Sequence, residues 1–256
     1  MDRKPDHVAP VNRPHHITDT RPPASPGRSG SGPARRLSFG GLVGVAAIVG
    51  LVIVAATDQI LPATSAYQAE TRIWLASRAA GFVALGMLSL QVALGLVLSH
   101  PTNKSTWRLS KRLFPWHESA WIFVLAFLGA HVVSLIVDPY AGVGLAGAFV
   151  PGLSSYRTAP VALGTLGLWA LLATGLTARY TRALPPGIWL VIHRFSLVVF
   201  VLAWMHGLLA GTDSLPLAAF YGLSAGLVLA AAAYRYWVSR TARPTFATTL
   251  QEEHVR

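Results

Sequence analysis

The sequence predicts an all-α integral membrane protein, a bundle of six transmembrane helices. Of its 256 residues, 53% are hydrophobic and only 12% are charged, about half the ~25% that soluble domains carry. Six apolar runs follow one another, each long enough to cross a ~30 Å hydrocarbon core at ~1.5 Å per helical residue. The net charge of +11 is spread over tails and short connectors between those runs. Cations placed that way act as topology signals. A nucleic-acid partner would call for a basic patch on a folded domain, and none is expected.

In chain order, residues 1–38 are rich in Pro, Arg, Ser and Gly and carry seven basic residues without apolar periodicity. They are expected to be a disordered cytoplasmic tail, in which His7, His15 and His16 are solvated. The six-helix domain is expected over 39–238, and a short cytoplasmic tail over 239–256. The first span is placed at 39–57, without a charge. The second covers about 72–99, with Arg78 as its one interior charge. The others are placed at about 116–137, 159–178, 188–210 and 215–237. Trp74, Trp116, Trp189 and Trp237 fall near ends, where indoles favour the interface. Pro101, Pro115, Pro160, Pro185 and Pro186 are placed at or just outside helix ends, as helix termination predicts.

Orientation follows from Lys and Arg. The N-terminal tail, the connector with Lys104, Arg108, Lys111 and Arg112, the connector with Arg179 and Arg182, and the C-terminal Arg240, Arg243 and Arg256 alternate with segments holding little more than Arg72 and Arg157. Both termini are therefore expected in the cytoplasm of a multi-pass plasma- or inner-membrane protein, with lipid as its surrounding partner.

Four histidines stand out. His117 and His131 lie 14 residues apart in the third span, and His193 and His206 lie 13 apart in the fifth. Both spans run from cytoplasm to exterior, and each pair of histidines is separated by roughly 20 Å along its helix. Matched by depth, His117 faces His193 on the inner side and His131 faces His206 on the outer. Ionisable side chains at membrane depth are costly and tend to be functional. Packing alone explains one such histidine more readily than four at matched levels. A zinc-transport site would need mixed ligands close together, whereas carboxylates are scarce in these helices. Two imidazoles at one level can fill both axial positions of a haem iron. The chain has no cysteine, which excludes thiolate-held clusters and covalent haem attachment. The expectation is two stacked, non-covalent b-type haems, with His117, His131, His193 and His206 as the iron ligands. The angular positions fit less simply. At ~100° per residue, a spacing of 14 returns to within ~40° of one face, but 13 misses by ~140°. The fifth helix must be rewound or bent, for example by a π-bulge, or its two imidazoles must approach from different sides.

On these residues the chain resembles the ferric reductase-like transmembrane domain family, which includes the membrane halves of ferric reductases and NADPH oxidases. The haem subunit of the periplasmic methionine sulfoxide reductase system is similar. The resemblance covers about residues 40–237 and rests on the four histidines, on Leu190-Val-Ile-His193-Arg-Phe-Ser and on His206-Gly-Leu-Leu-Ala-Gly-Thr-Asp213. It implies a six-helix core with haem ligands on the third and fifth helices and electron flow from the inner to the outer haem, then to an external acceptor. The chain departs from the oxidase and reductase pattern in having no Gly-rich dinucleotide loop. It departs from the methionine sulfoxide reductase branch in its full set of four histidines. No flavin or NAD(P) site is expected in it, so the donor is expected to be a separate flavoprotein or quinol. The protein would then be the haem-containing oxidoreductase component of such a system. The alternative from another class is a non-redox haem or metal transporter or sensor.

Arg78 is a candidate for outer haem propionates or for steering an acceptor. His100 and Arg194 are candidates for inner propionates. Met205 neighbours His206 and is read as packing. The segment 138–158, with Tyr140, Pro151, Tyr156 and Arg157, is a candidate lid or acceptor-docking loop. Asp138 and Asp213 are candidates for attracting cationic iron complexes or, more simply, for capping.

Overall fold

The computed structural model describes residues 63–99, 107–185, 187–212 and 214–241, and nine single positions between 41 and 59. Among the described residues 84% are helical and none form strands. The elements are α1 (Ala66–Leu98), α2 (Trp107–Val137), α3 (Gly144–Phe149), α4 (Thr158–Arg179), a 3-10 turn (Thr181–Ala183), α5 (Ile188–Arg194), α6 (Ser196–Ala210) and α7 (Ala218–Thr241). Among the described residues five spans are long and apolar enough to cross a bilayer: α1, α2, α4, α5 continued by α6, and α7. The chain is thus a multi-pass membrane protein. The first expected span, 39–57, lies largely outside the described residues, although the eight described positions within it are helical. The expected N-terminal tail also lies outside them, as does the C-terminal tail beyond Thr241; the last helix runs three residues into that tail, through 239–241.

Helix α1 starts six residues before the expected boundary because its N-terminus is capped. The Ser65 hydroxyl accepts from Gln68 N at 3.2 Å, while Thr64 N and Oγ1 donate to Gln68 Oε1. These bonds satisfy donors that a helix start otherwise leaves open.

Helix α2 corrects the expected start at Trp116. It begins at Trp107, takes in Arg108, Lys111 and Arg112, and holds Pro115 in its interior. Proline there removes the donor for the Lys111 carbonyl. Both residues are exposed, so that carbonyl is not stranded in the packed core.

The fifth expected span is interrupted. Gly187, at φ 85°, opens α5. After Arg194 the helix breaks at Phe195, whose N–H donates to Ile192 O at 3.0 Å. That is a tight i→i−3 turn, not a π-bulge. Helix α6 then begins at Ser196. The interruption falls between His193 and His206, where the 13-residue spacing demanded a change of phase.

Two antiparallel pairs build the core. Residues 77 and 81 of α1 lie beside His131 of α2, and residues 91 and 95 beside His117. Likewise Gly164 of α4 lies beside His206 of α6, and Gly167 beside Leu202 and Ala203. Leu85, Leu88, Val92, Val124, Leu171 and Val199 are buried in one apolar cluster between the pairs. Helix α7 closes against them through Phe82–Phe220 at 5.6 Å and Trp204–Tyr221 at 6.0 Å. The indole of Trp121 rests directly on Gly175. Such close approaches through small residues are how helices gain dispersion energy in lipid. Several buried hydroxyls stay inside their own helices: Ser89 donates to Leu85 O, Thr165 to Val161 O and Thr174 to Ala170 O, which pairs those donors at membrane depth.

Candidate functional site

The fold brings the four histidines together as two pairs. His117 and His193 face each other with ring centres 6.1 Å apart and planes at 88°. His131 and His206 do so at 6.2 Å and 70°. The two His-bearing spans, α2 and α5–α6, come from different antiparallel pairs, so their rings meet across the core. Because an imidazole nitrogen binds a metal at about 2.0–2.1 Å and lies about 1.1 Å from its ring centre, two rings on one metal have centres roughly 6.2 Å apart. The observed separations meet that requirement at both levels. Among the described residues no group of three or more His, Cys, Asp or Glu gathers to hold a bare ion; the histidines act in twos.

Hydrogen bonds fix the rings. His131 Nδ1 donates to Ser77 O at 2.8 Å, with the Ser77 hydroxyl 3.2 Å from the same nitrogen. His206 Nδ1 donates to Pro160 O at 2.9 Å, and His117 Nδ1 to Gln91 O at 3.1 Å. A carbonyl oxygen can only accept, so each of these Nδ1 atoms carries the proton. Nε2 is then left with its lone pair, the tautomer that ligates metals. His193 differs. Its buried Nδ1 is directed toward the Thr174 backbone but closes no well-formed hydrogen bond. Trp189, one turn earlier in α5, braces its ring at 6.2 Å.

The His131/His206 pair lines a cavity of about 1360 Å³, its open mouth included. Apolar residues such as Leu85, Leu128 and Val199 form much of its wall, and Arg78 and Trp74 also line it. Arg78 sits 4.5 Å over the Trp74 ring and donates to Thr212 Oγ1 at 2.7 Å. Among the described residues it is the one cation that lines this cavity with a histidine pair. Arg194 is exposed at the end of α5, one residue after His193. His100 and Asp213 lie outside the described residues.

The segment 138–158 closes over this cavity, contributing Ala141, Val143, Ala148 and Tyr156. Asp138 is only 3% exposed, and its carboxylate accepts from Tyr140 N and Ala141 N. It caps a turn and does not face a solvent-borne cation. Arg157 adopts the left-handed conformation, φ 39° and ψ 62°, rare for a residue with a Cβ. Its guanidinium donates to Leu209 O at 2.8 Å and Gly211 O at 3.1 Å, and the Tyr156 hydroxyl donates to Ala210 O at 3.0 Å. The loop thereby caps the carbonyl end of the helix that carries His206. Arg157→Ala is expected to destabilise the protein by about 1 kcal/mol, the scale of one exposed charge-assisted cap. Thermal denaturation of the purified protein measures it, and an unchanged midpoint would mean that the cap contributes nothing.

Sequence reasoning missed the parts that seat the rings: Ser77, Gly81, Gly95, Gly164, the Pro160 carbonyl and Trp189. One signal was present, since Gly81 and Gly95 share the 14-residue interval of His117 and His131. Compared with known families, curated proteins and solved structures, the chain matches none.

Proposed function

We propose that the chain is a dihaem b-type cytochrome, a ferric reductase-like component that carries electrons across the membrane to an external acceptor. The observation that supports it best is the pair of opposed imidazoles at each of two levels, with ring centres 6.1 and 6.2 Å apart. In this reading His117 and His193 would hold the inner haem iron, and His131 and His206 the outer. Arg78, in the cavity beside the outer pair, would meet the outer propionates, and Arg194 is the candidate at the inner level. Each bound haem would supply one-electron chemistry, and two histidines holding it would suit outer-sphere transfer.

The chain's own residues do the rest. Backbone carbonyls hold the protons of three histidines on Nδ1. The apolar cluster between the levels keeps water away from them. The donor is proposed to be a separate flavoprotein or quinol on the cytoplasmic side, where both termini lie in this reading.

The test is haem stoichiometry with optical spectra of the purified chain. About two non-covalent haems per chain, low-spin in both oxidation states, are expected. Haem-free protein that cannot be reconstituted would overturn the reading in favour of a non-redox membrane protein. Reduction by a quinol, and separately by flavoproteins with NAD(P)H, then distinguishes the donors.

A further inference from the structure

Three of the four imidazoles sit on the same construction. His131 lies against Gly81 and bonds the carbonyl of Ser77. His117 lies against Gly95 and bonds the carbonyl of Gln91. His206 lies against Gly164 and bonds the carbonyl of Pro160. In every case the ring rests on a helix glycine, and Nδ1 donates to the carbonyl four residues before that glycine. A side chain at any of the three would crowd the ring, most at 164 and least at 95. A Cβ would fall 2.9 Å from His131 Nδ1 at position 81, 3.1 Å from His117 Cε1 at 95 and 2.7 Å from His206 Nδ1 at 164.

His193 departs from the pattern in both respects. Its Nδ1 is directed toward the Thr174 backbone without a well-formed bond, and the residue four after Thr174 is Ala178. On α4, Gly164 and Ala178 are 14 residues apart. The same interval separates Gly81 from Gly95 and His117 from His131 on the other helix pair. Ala178 thus occupies the fourth seat in register, and it brings the methyl that the other three seats lack.

We propose that Gly81, Gly95 and Gly164 are positioning residues for the histidines, and that Ala178 leaves His193 as the ligand with the weakest backbone anchor. This rests on the dihaem reading. A hydrogen bond from the far ring nitrogen raises the basicity of an imidazole and fixes its orientation. A more basic ligand favours the ferric form. The His193 level therefore holds its haem more loosely and at a higher reduction potential than it would with glycine at 178.

The experiment introduces Ala178→Gly into the full chain, with and without His131→Ala so that the inner haem can be read alone. Potentiometric titration and the rate of haem transfer to an apoprotein acceptor are the readouts. The inner potential is expected to shift negative, with haem held about tenfold tighter, the low end of the ~10–100-fold effect of outer-shell bonds on metal affinity. Gly95→Ala, at the opposite inner ligand, is expected to shift both readouts the other way. Two haems retained with both readouts unchanged in Ala178→Gly would overturn the seat assignment. A wild-type chain that binds no haem would overturn the underlying reading instead.

Discussion

Replacing His131 or His206 by alanine is expected to halve the haem content and to abolish reduction of an external acceptor, while the remaining haem is still reduced by the donor. Each ring is one of only two side chains that converge on its level, 6.2 Å from its partner. Removing it leaves one axial position without a protein ligand and, for His131, leaves Ser77 O without the donor it now receives at 2.8 Å. An outer-shell bond alone contributes ~10–100-fold to metal affinity, and a direct ligand contributes more. The inner pair should not respond, because roughly 20 Å of helix separates the levels and distant sites are energetically independent. His117→Ala and His193→Ala should produce the mirror result, with donor-linked reduction lost. Pyridine haemochromogen content and low-temperature α-band spectra of all four variants make the measurement. If His131→Ala and His206→Ala both keep two haems and an unaltered spectrum, the pairing by depth is wrong.

The pairing was legible in the sequence because it needs only helix rise and the direction of each span. Fourteen residues set His117 and His131 on nearly one face, and the cation pattern made the third and fifth spans parallel. The phase was not legible. A spacing of 13 said that something had to change between His193 and His206, but only the backbone identified the i→i−3 turn at Phe195. Phe and Ser carry no strong breaking signal, so local propensity could not locate it. Pro115 misled in the opposite way. Its cost in a helix interior is ~3 kcal/mol, which argues for a boundary, yet α2 continues through it on an exposed face. Asp138 shows the limit for charges: a carboxylate beside a loop looks available in sequence, while the fold spends its oxygens on Tyr140 N and Ala141 N. The ring seats depended on which residues of neighbouring helices lie side by side, information that no single stretch contains.

Gly164→Val is expected to cost the outer haem although all four histidines remain. A Cβ at position 164 would stand 2.7 Å from His206 Nδ1 and 2.8 Å from its Cε1 and Cγ, closer than real contacts allow. Valine adds two further methyl groups to that space. The clash is not relieved by sliding α4 away, because the same ring is bonded to Pro160 O on that helix at 2.9 Å. The imidazole must therefore swing off its seat and lose the bond. Overpacking costs about 1–3 kcal/mol, and leaving a buried polar group unpaired costs about 1–3 kcal/mol more. Either one is a tenfold effect or larger, so the outer haem should be lost during purification or released far faster than the inner one. Gly226→Val is the matched control, since position 226 is exposed and a Cβ there meets nothing within 4 Å. That variant should keep both haems, which separates the seat from any general penalty of valine in a membrane helix. Retention of two haems with wild-type spectra in Gly164→Val would show that the His206 ring does not depend on the glycine beneath it.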